Sequence, residues 1–166
     1  MLRTRLPRGA SLAAVLALGL LAGACASKTS NDLNGGLGGM GGGPPGSQQD
    51  FVVNVGDRVF FDTDQVDLSP TARATLDKQA RWLQQYPNYS ITIEGHADER
   101  GTREYNLALG ARRAQNTRDY LVSRGVPAQR MHTISYGKER PVAVCDDISC
   151  WSQNRRAVTV LGSPQS

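Results

Sequence analysis

From Phe51 onward, apolar residues recur with two distinct periods, and the alternation between them lays out the elements. Val59-Phe60-Phe61, flanked by Asp57, Arg58 and Asp62, is a short apolar run that predicts a first strand, with Asp62-Thr63-Asp64-Gln65 as the turn after it. Ser69-Pro70 opens a helix, the hydroxyl at the cap and the proline at the first helical position. Ala72, Leu76, Ala80 and Leu83 follow at helical spacing until Pro87 stops the helix. Ile91 and Ile93 alternate with polar neighbours and predict a second strand. A second helix over about 102–124 puts Leu107, Ala111, Ala114 and Leu121 on one face and ends at Gly125, with Pro127 just beyond. Met131 to Tyr136 is a third strand. A long polar connection then leads to a last strand from Ala157 to Leu161.

The order β-α-β-α-β-β implies an α+β domain with a mixed sheet, and right-handed crossovers place both helices on the same face. A doubly wound nucleotide fold shares part of this alternation. It requires a glycine phosphate loop between a strand and a helix, and no such loop follows either strand.

The first fifty residues are different. Residues 1–24 hold Arg3, Arg5 and Arg8 without an acid, then an apolar segment from Ala10 to Ala22, then small residues up to Cys25, which together describe a secretory signal. The apolar run barely reaches the ~20 residues that a membrane span needs. LAGAC resembles the bacterial lipobox, with Ala22 in place of the usual leucine three residues before the cysteine. That resemblance implies cleavage before Cys25 and acylation of it, and several acyl chains give stable anchoring where one does not. Ala26 follows where an aspartate would resemble an inner-membrane retention signal, so the outer membrane is the expected location. Ser27 to Gln49 is rich in Gly, Ser, Asn and Pro and cannot offset its own ordering entropy. The expected organisation is therefore a signal peptide over 1–24, an acylated cysteine and flexible linker over 25–50, and a folded domain over 51–166.

Charge changes the picture only by subtraction. The chain carries a formal +4, but without residues 1–24 it keeps 16 basic against 15 acidic side chains. No basic patch remains that would argue for nucleic acid. Cys145 and Cys150, close together in CDDISC, favour a disulfide in an exported chain, since a metal site needs two further ligands at compatible spacing.

The candidate chemistry lies in Gly95 to Arg113, GHADERGTREYNLALGARR, where the second strand hands over to the second helix. His96, Asp98 and Glu99 are close enough to suggest catalysis, but neither HExxH nor GxSxG occurs. A second reading is structural: Asp98 caps the helix, and Glu99, Arg103, Glu104, Arg112 and Arg118 form solvated surface pairs of little energetic value. A third is a site for a zwitterion. Asn106 and Arg113 are two helical turns apart on one face, and Asp98 precedes the first turn at the same end. An aspartate accepts from an ammonium, and an arginine offers a planar fork to a carboxylate.

GHADERGTREYNLALGARRA, SYGKERP and the closing NRRAV resemble the OmpA-like peptidoglycan-binding domain family over about residues 50–161. The resemblance implies a noncovalent grip on the diaminopimelate of uncrosslinked stem peptides, whose side chain ends in an amine and a carboxylate on one carbon. It implies that Asp98 takes the ammonium and Arg113 the carboxylate, with Asn106 and Leu107 shaping the pocket and Asp62 and Phe61 forming walls. Arg155 and Arg156 belong to the same motif set without an assigned role. Further implications are partnership with the β-propeller protein TolB and the Tol complex, a function in outer-membrane constriction at division, no cofactor, no metal and no catalysis. The alternatives are a peptidoglycan-anchoring lipoprotein outside the Tol system and a lipoprotein whose ligand is not cell wall.

Overall fold

The computed structural model describes residues 42–164. The expected signal peptide, the acylated Cys25 and most of the linker lie outside the described residues. Packing begins earlier than the expected boundary at Phe51. Ser47 caps a single turn, α1 (Gln48–Asp50), which runs into a wider turn over Phe51–Val55. Asp50 Oδ2 accepts from Trp82 Nε1 at 2.8 Å, and the Gly46 carbonyl accepts from the Tyr89 hydroxyl at 2.7 Å. The end of the Gly-rich stretch is thus fastened to the domain by polar contacts that a count of apolar residues does not reveal.

The remaining elements are β1 (Arg58–Phe60), α2 (Pro70–Gln85), β2 (Tyr89–His96), α3 (Arg103–Ser123), β3 (Met131–Gly137), α4 (Ile148–Asn154) and β4 (Arg156–Pro164). The strands form one mixed sheet in the order β1-β4-β2-β3. β4 is antiparallel to both β1 and β2, and β2 is parallel to β3. The last strand of the chain is therefore inserted at the centre of the sheet. This brings Arg155 and Arg156, at its start, beside the end of β2.

Ser69 caps α2 by accepting from the Ala72 N–H, and Pro70 occupies the first turn. Ala72, Leu76, Ala80 and Leu83 are buried as their spacing predicts, against Phe51, Ile91, Ile93, Leu121 and Val126. Removal of this apolar surface from water is the main favourable term for the fold. In α3 the buried side is not the expected one. Ala111 is exposed and Leu107 half-buried, whereas Asn106, Leu109, Gly110, Arg113, Ala114, Thr117 and Leu121 face inward. Three of these are polar, so a stripe drawn through apolar residues alone is rotated away from the true contact face. The helix lies unusually close to the sheet because Gly110 meets Gly95: a Cβ on Gly95 would collide with the Gly110 carbonyl.

The polar connection after β3 contains α4, which has no amphipathic repeat long enough to announce it. Asp147 caps α4 by accepting from the Ser149 N–H. Cys145 and Cys150 are joined across its first turn, with Cα atoms 5.6 Å apart. Among the described residues, no helix is long and apolar enough to cross a membrane.

Candidate functional site

The site is built where β2 ends. After His96 the chain leaves the sheet, and Asp98 folds back over its own backbone: Oδ1 accepts the Arg100 N–H at 3.2 Å. Gly101, at φ +87°, then turns the chain into α3. The helix cap is Thr102, whose hydroxyl accepts from the Tyr105 N–H, and not Asp98. Asp98 is thereby released for other work.

It is 7% exposed and forms part of a cleft of about 200 Å³ with Thr63, Asp64, Arg100, Gly101 and Tyr105. Its Oδ1 also accepts from Arg100 Nε at 3.2 Å, and its Oδ2 accepts from Arg100 Nη2 at 2.7 Å and Arg155 Nη1 at 3.2 Å. Burial alone pushes this carboxyl up, but the hydrogen bonds from Arg100 and Arg155 outweigh it and hold the group below the usual aspartate range. Asp98 is ionised at neutral pH.

Arg113 lies deeper. It is 0% exposed, so it does not present its fork to solvent as a helix-surface arginine would. Its Nε donates to the Gln65 carbonyl at 2.9 Å, Nη1 to the His96 carbonyl at 2.9 Å and Nη2 to the Asp62 carbonyl at 3.0 Å. The side chain pins the turn after β1 against the end of β2. Burial, together with the charge of Arg155, lowers its pKa to about 10, with Asp98, Asp64 and Tyr105 pulling the other way. It stays protonated, and two of its five N–H groups remain outside these bonds.

The other expected residues divide. Asn106, 1% exposed, donates from Nδ2 to the Arg100 carbonyl at 2.7 Å and so holds the turn that carries Asp98. Phe61 is buried under the Arg113 guanidinium, 5.1 Å from ring centroid to Cζ. Asp62 is exposed and, with Phe61 and Arg155, lines a neighbouring cleft of about 400 Å³. Leu107 is not among the residues lining either cleft; its carbonyl accepts from Ser135 Oγ at 2.7 Å, on the side of α3 that meets β3. The two arginines of NRRA separate as well. Arg155 Nε donates to the Phe61 carbonyl at 3.0 Å while Nη1 reaches Asp98, and Arg156 donates to the Asn154 and Arg140 carbonyls.

His96 and Glu99 do not join Asp98 in a catalytic group. The His96 ring is buried, 5.6 Å from the Tyr136 ring and 3.5 Å from Glu94 Oε2. Neither of its nitrogens has a hydrogen-bond partner within the described residues. Burial, reinforced by Arg156 and Arg140, lowers its pKa to about 4. Glu99 accepts from Trp151 Nε1. Among the described residues, no three His, Cys, Asp or Glu side chains are gathered as a metal site.

One neighbour of Asp98 that sequence reasoning did not single out is Arg100. Its guanidinium covers Asp98, stacks 4.2 Å from the Trp151 ring centroid and keeps 41% of its side chain exposed. The signal was present in the spacing: an arginine two residues after an aspartate and just before a glycine suits a turn in which the carboxylate takes both the backbone and the side-chain N–H.

Fold and site together define a small α+β binding domain that gathers buried charge at the end of its central strands. Residues 60–155 match the OmpA family model, and the chain belongs to the OmpA family. It is 72% identical over 154 residues to the peptidoglycan-associated lipoprotein of Rhizobium meliloti (strain 1021), covering 91% of this chain and 87% of that protein. Identity to the peptidoglycan-associated lipoprotein of Agrobacterium fabrum is 69% over 156 residues, covering 92% and 87%. The crystal structure of the peptidoglycan-associated lipoprotein from Burkholderia pseudomallei superposes with a TM-score of 0.62 at 43% identity, over 64% of this chain and 90% of that one. The domain is not an enzyme.

Proposed function

We propose that this protein is an outer-membrane lipoprotein that binds peptidoglycan noncovalently, through the zwitterionic end of diaminopimelate in uncrosslinked stem peptides. The observation that carries the reading is a charge count. Among the described residues the buried acids number one, Asp98, against three buried arginines, Arg113, Arg155 and Arg156. An isolated buried charge is strongly disfavoured unless it is paired. Asp98 supplies the acceptor for an ammonium in the open cleft. Arg113, whose charge has no acidic partner within salt-bridge distance among the described residues, attracts the carboxylate from beneath the cleft floor. Asn106 and Phe61 hold this pair in place, and Asp62 borders the approach.

The names of the relatives support peptidoglycan as the ligand and a lipoprotein as the form. Acylation at Cys25 and attachment to the outer membrane extend that reading to the N-terminal segment. We further infer, from the family resemblance, that the protein works with TolB and the Tol complex in drawing the outer membrane inward at division. Failure to capture TolB would place it instead among peptidoglycan anchors outside that system.

The test is a calorimetric titration of the purified full-length protein in detergent with a diaminopimelate muropeptide and with its lysine counterpart, which lacks the terminal carboxylate. The reading expects clear preference for diaminopimelate. Equal affinity would remove Arg113 from the recognition of the ligand.

A further inference from the structure

The four hydrogen bonds at Asp98 pose a stoichiometric problem for any ligand. A carboxylate has about four lone-pair positions, and here all are taken: by the Arg100 N–H, by its Nε and Nη2, and by Arg155 Nη1. An arriving ammonium finds no free acceptor, so one donor must leave. Arg155 is buried and tied through Nε to the Phe61 carbonyl, and the Arg100 N–H belongs to the turn. The Arg100 side chain alone is both exposed and held by contacts that can open: two bonds to Asp98, a long one of 3.4 Å to Thr63 Oγ1, and the face of Trp151.

We propose that Arg100 is a second residue, beside Arg113, that makes this site select a zwitterion: it leaves Asp98 when an ammonium arrives and pairs at the rim with the carboxylate borne by the same carbon. The proposal rests on the reading of Asp98 as the ammonium acceptor. The exchange balances charge at each centre. Before binding, Asp98 and Arg100 neutralise one another; afterwards Asp98 faces the ammonium and Arg100 the carboxylate. A simple amine achieves only half of this. It satisfies Asp98 but leaves the guanidinium with only the more distant charges of Asp64 and Glu99, beside a new positive charge, at a site where Arg113 and Arg155 are already cationic. Trp151, whose Nε1 donates to Glu99, keeps the displaced guanidinium at the rim through its indole face. The free fork then meets a planar carboxylate with two parallel N–H groups.

The prediction is a crossed effect. In the full-length protein, Arg100→Ala should weaken binding of the diaminopimelate muropeptide about tenfold, the loss of one charge-assisted contact. The lysine muropeptide should bind as before or a few-fold tighter, because its ammonium no longer displaces an internal cation. Arg100→Lys, which keeps the charge but not the fork, should fall between. Each variant should still melt cooperatively as a folded protein, because Asp98 keeps the Arg100 N–H and Arg155 Nη1 as donors. An unchanged preference in Arg100→Ala would overturn the proposal, and so would equal tightening of both ligands, which marks Arg100 as a competitor only. Asp98→Asn separates the two levels. If it abolishes binding while Arg100→Ala keeps the preference, only the exchange is wrong; if it leaves both ligands bound as in wild type, the site itself is misplaced.

Discussion

The two ends of this domain solve burial in opposite ways. Around Phe51, Leu76, Leu83, Ile91 and Leu121 the helices meet the sheet through hydrocarbon, and specificity comes from shape. Around Asp98 the buried groups are three guanidiniums and one carboxylate, held by backbone carbonyls from β1's turn, the end of β2 and the loop before β4. The first arrangement stabilises without needing a partner. The second leaves positive charge in excess of buried acid, a poor way to stabilise a fold and a good way to receive an anion next to a bound cation. In a small domain a ligand is best sought where charge is buried without local compensation.

Breaking the polar end at its deepest point should have the largest effect. Arg113→Ala removes the donor from three carbonyls at once, and buried acceptors left unsatisfied cost ~1–3 kcal/mol each. We expect a loss of more than about 3 kcal/mol in urea denaturation, with ligand binding lost alongside. Leu83→Ala breaks the apolar end instead. A fully buried leucine truncated in a core costs ~2–5 kcal/mol, and the folded fraction should still co-sediment with purified sacculi like wild type. Loss of binding beyond what the unfolded fraction accounts for would erase the contrast between the two ends.

A pH titration sharpens the comparison further. His96 is neutral when folded, with a pKa near 4 against about 6.5 for the free side chain. Between these values the unfolded chain binds the additional proton, so stability is full above pH 6.5 and declines as pH falls toward 4. With ~1.4 kcal/mol per pKa unit the decline amounts to roughly 3 kcal/mol. Asp98, with its lowered pKa, adds to it only below the ordinary aspartate range, because its contribution is present above the unfolded pKa and disappears as the folded group takes up its proton. His96→Gln should flatten the curve between pH 6.5 and 4 without affecting sacculus binding at neutral pH. Persistence of the slope in that variant would assign it to other groups.

The contrast also explains what could be read from the sequence. The apolar end was legible because Ala72, Leu76, Ala80 and Leu83, or Ile91 and Ile93, repeat at the periods of helix and strand, and Ser69-Pro70 marks its start chemically. The inward face of α3 was misplaced, since Asn106, Arg113 and Thr117 are buried through hydrogen bonds and a hydropathy stripe counts them as surface. The same blindness placed the domain boundary at Phe51, although Asp50 and Gly46 are bonded to Trp82 and Tyr89. At the candidate site, the motif pointed to Asp98 and Arg113 but not to their depth. Spacing tells which residues share an end of the molecule. It does not tell that one guanidinium is sealed among carbonyls while another, Arg100, stands at the entrance.

The most direct test of the central claim is co-sedimentation of full-length Asp98→Asn with purified sacculi, beside a thermal melt of the same variant. Asparagine keeps the shape of the site and half of its acceptor positions but removes the one buried negative charge among the described residues. The variant should fold, and its affinity for sacculi should fall about ten- to a hundredfold, the equivalent of ~1.5–3 kcal/mol for a contact to a charged group. A folded variant that sediments with sacculi as wild type does would contradict that claim.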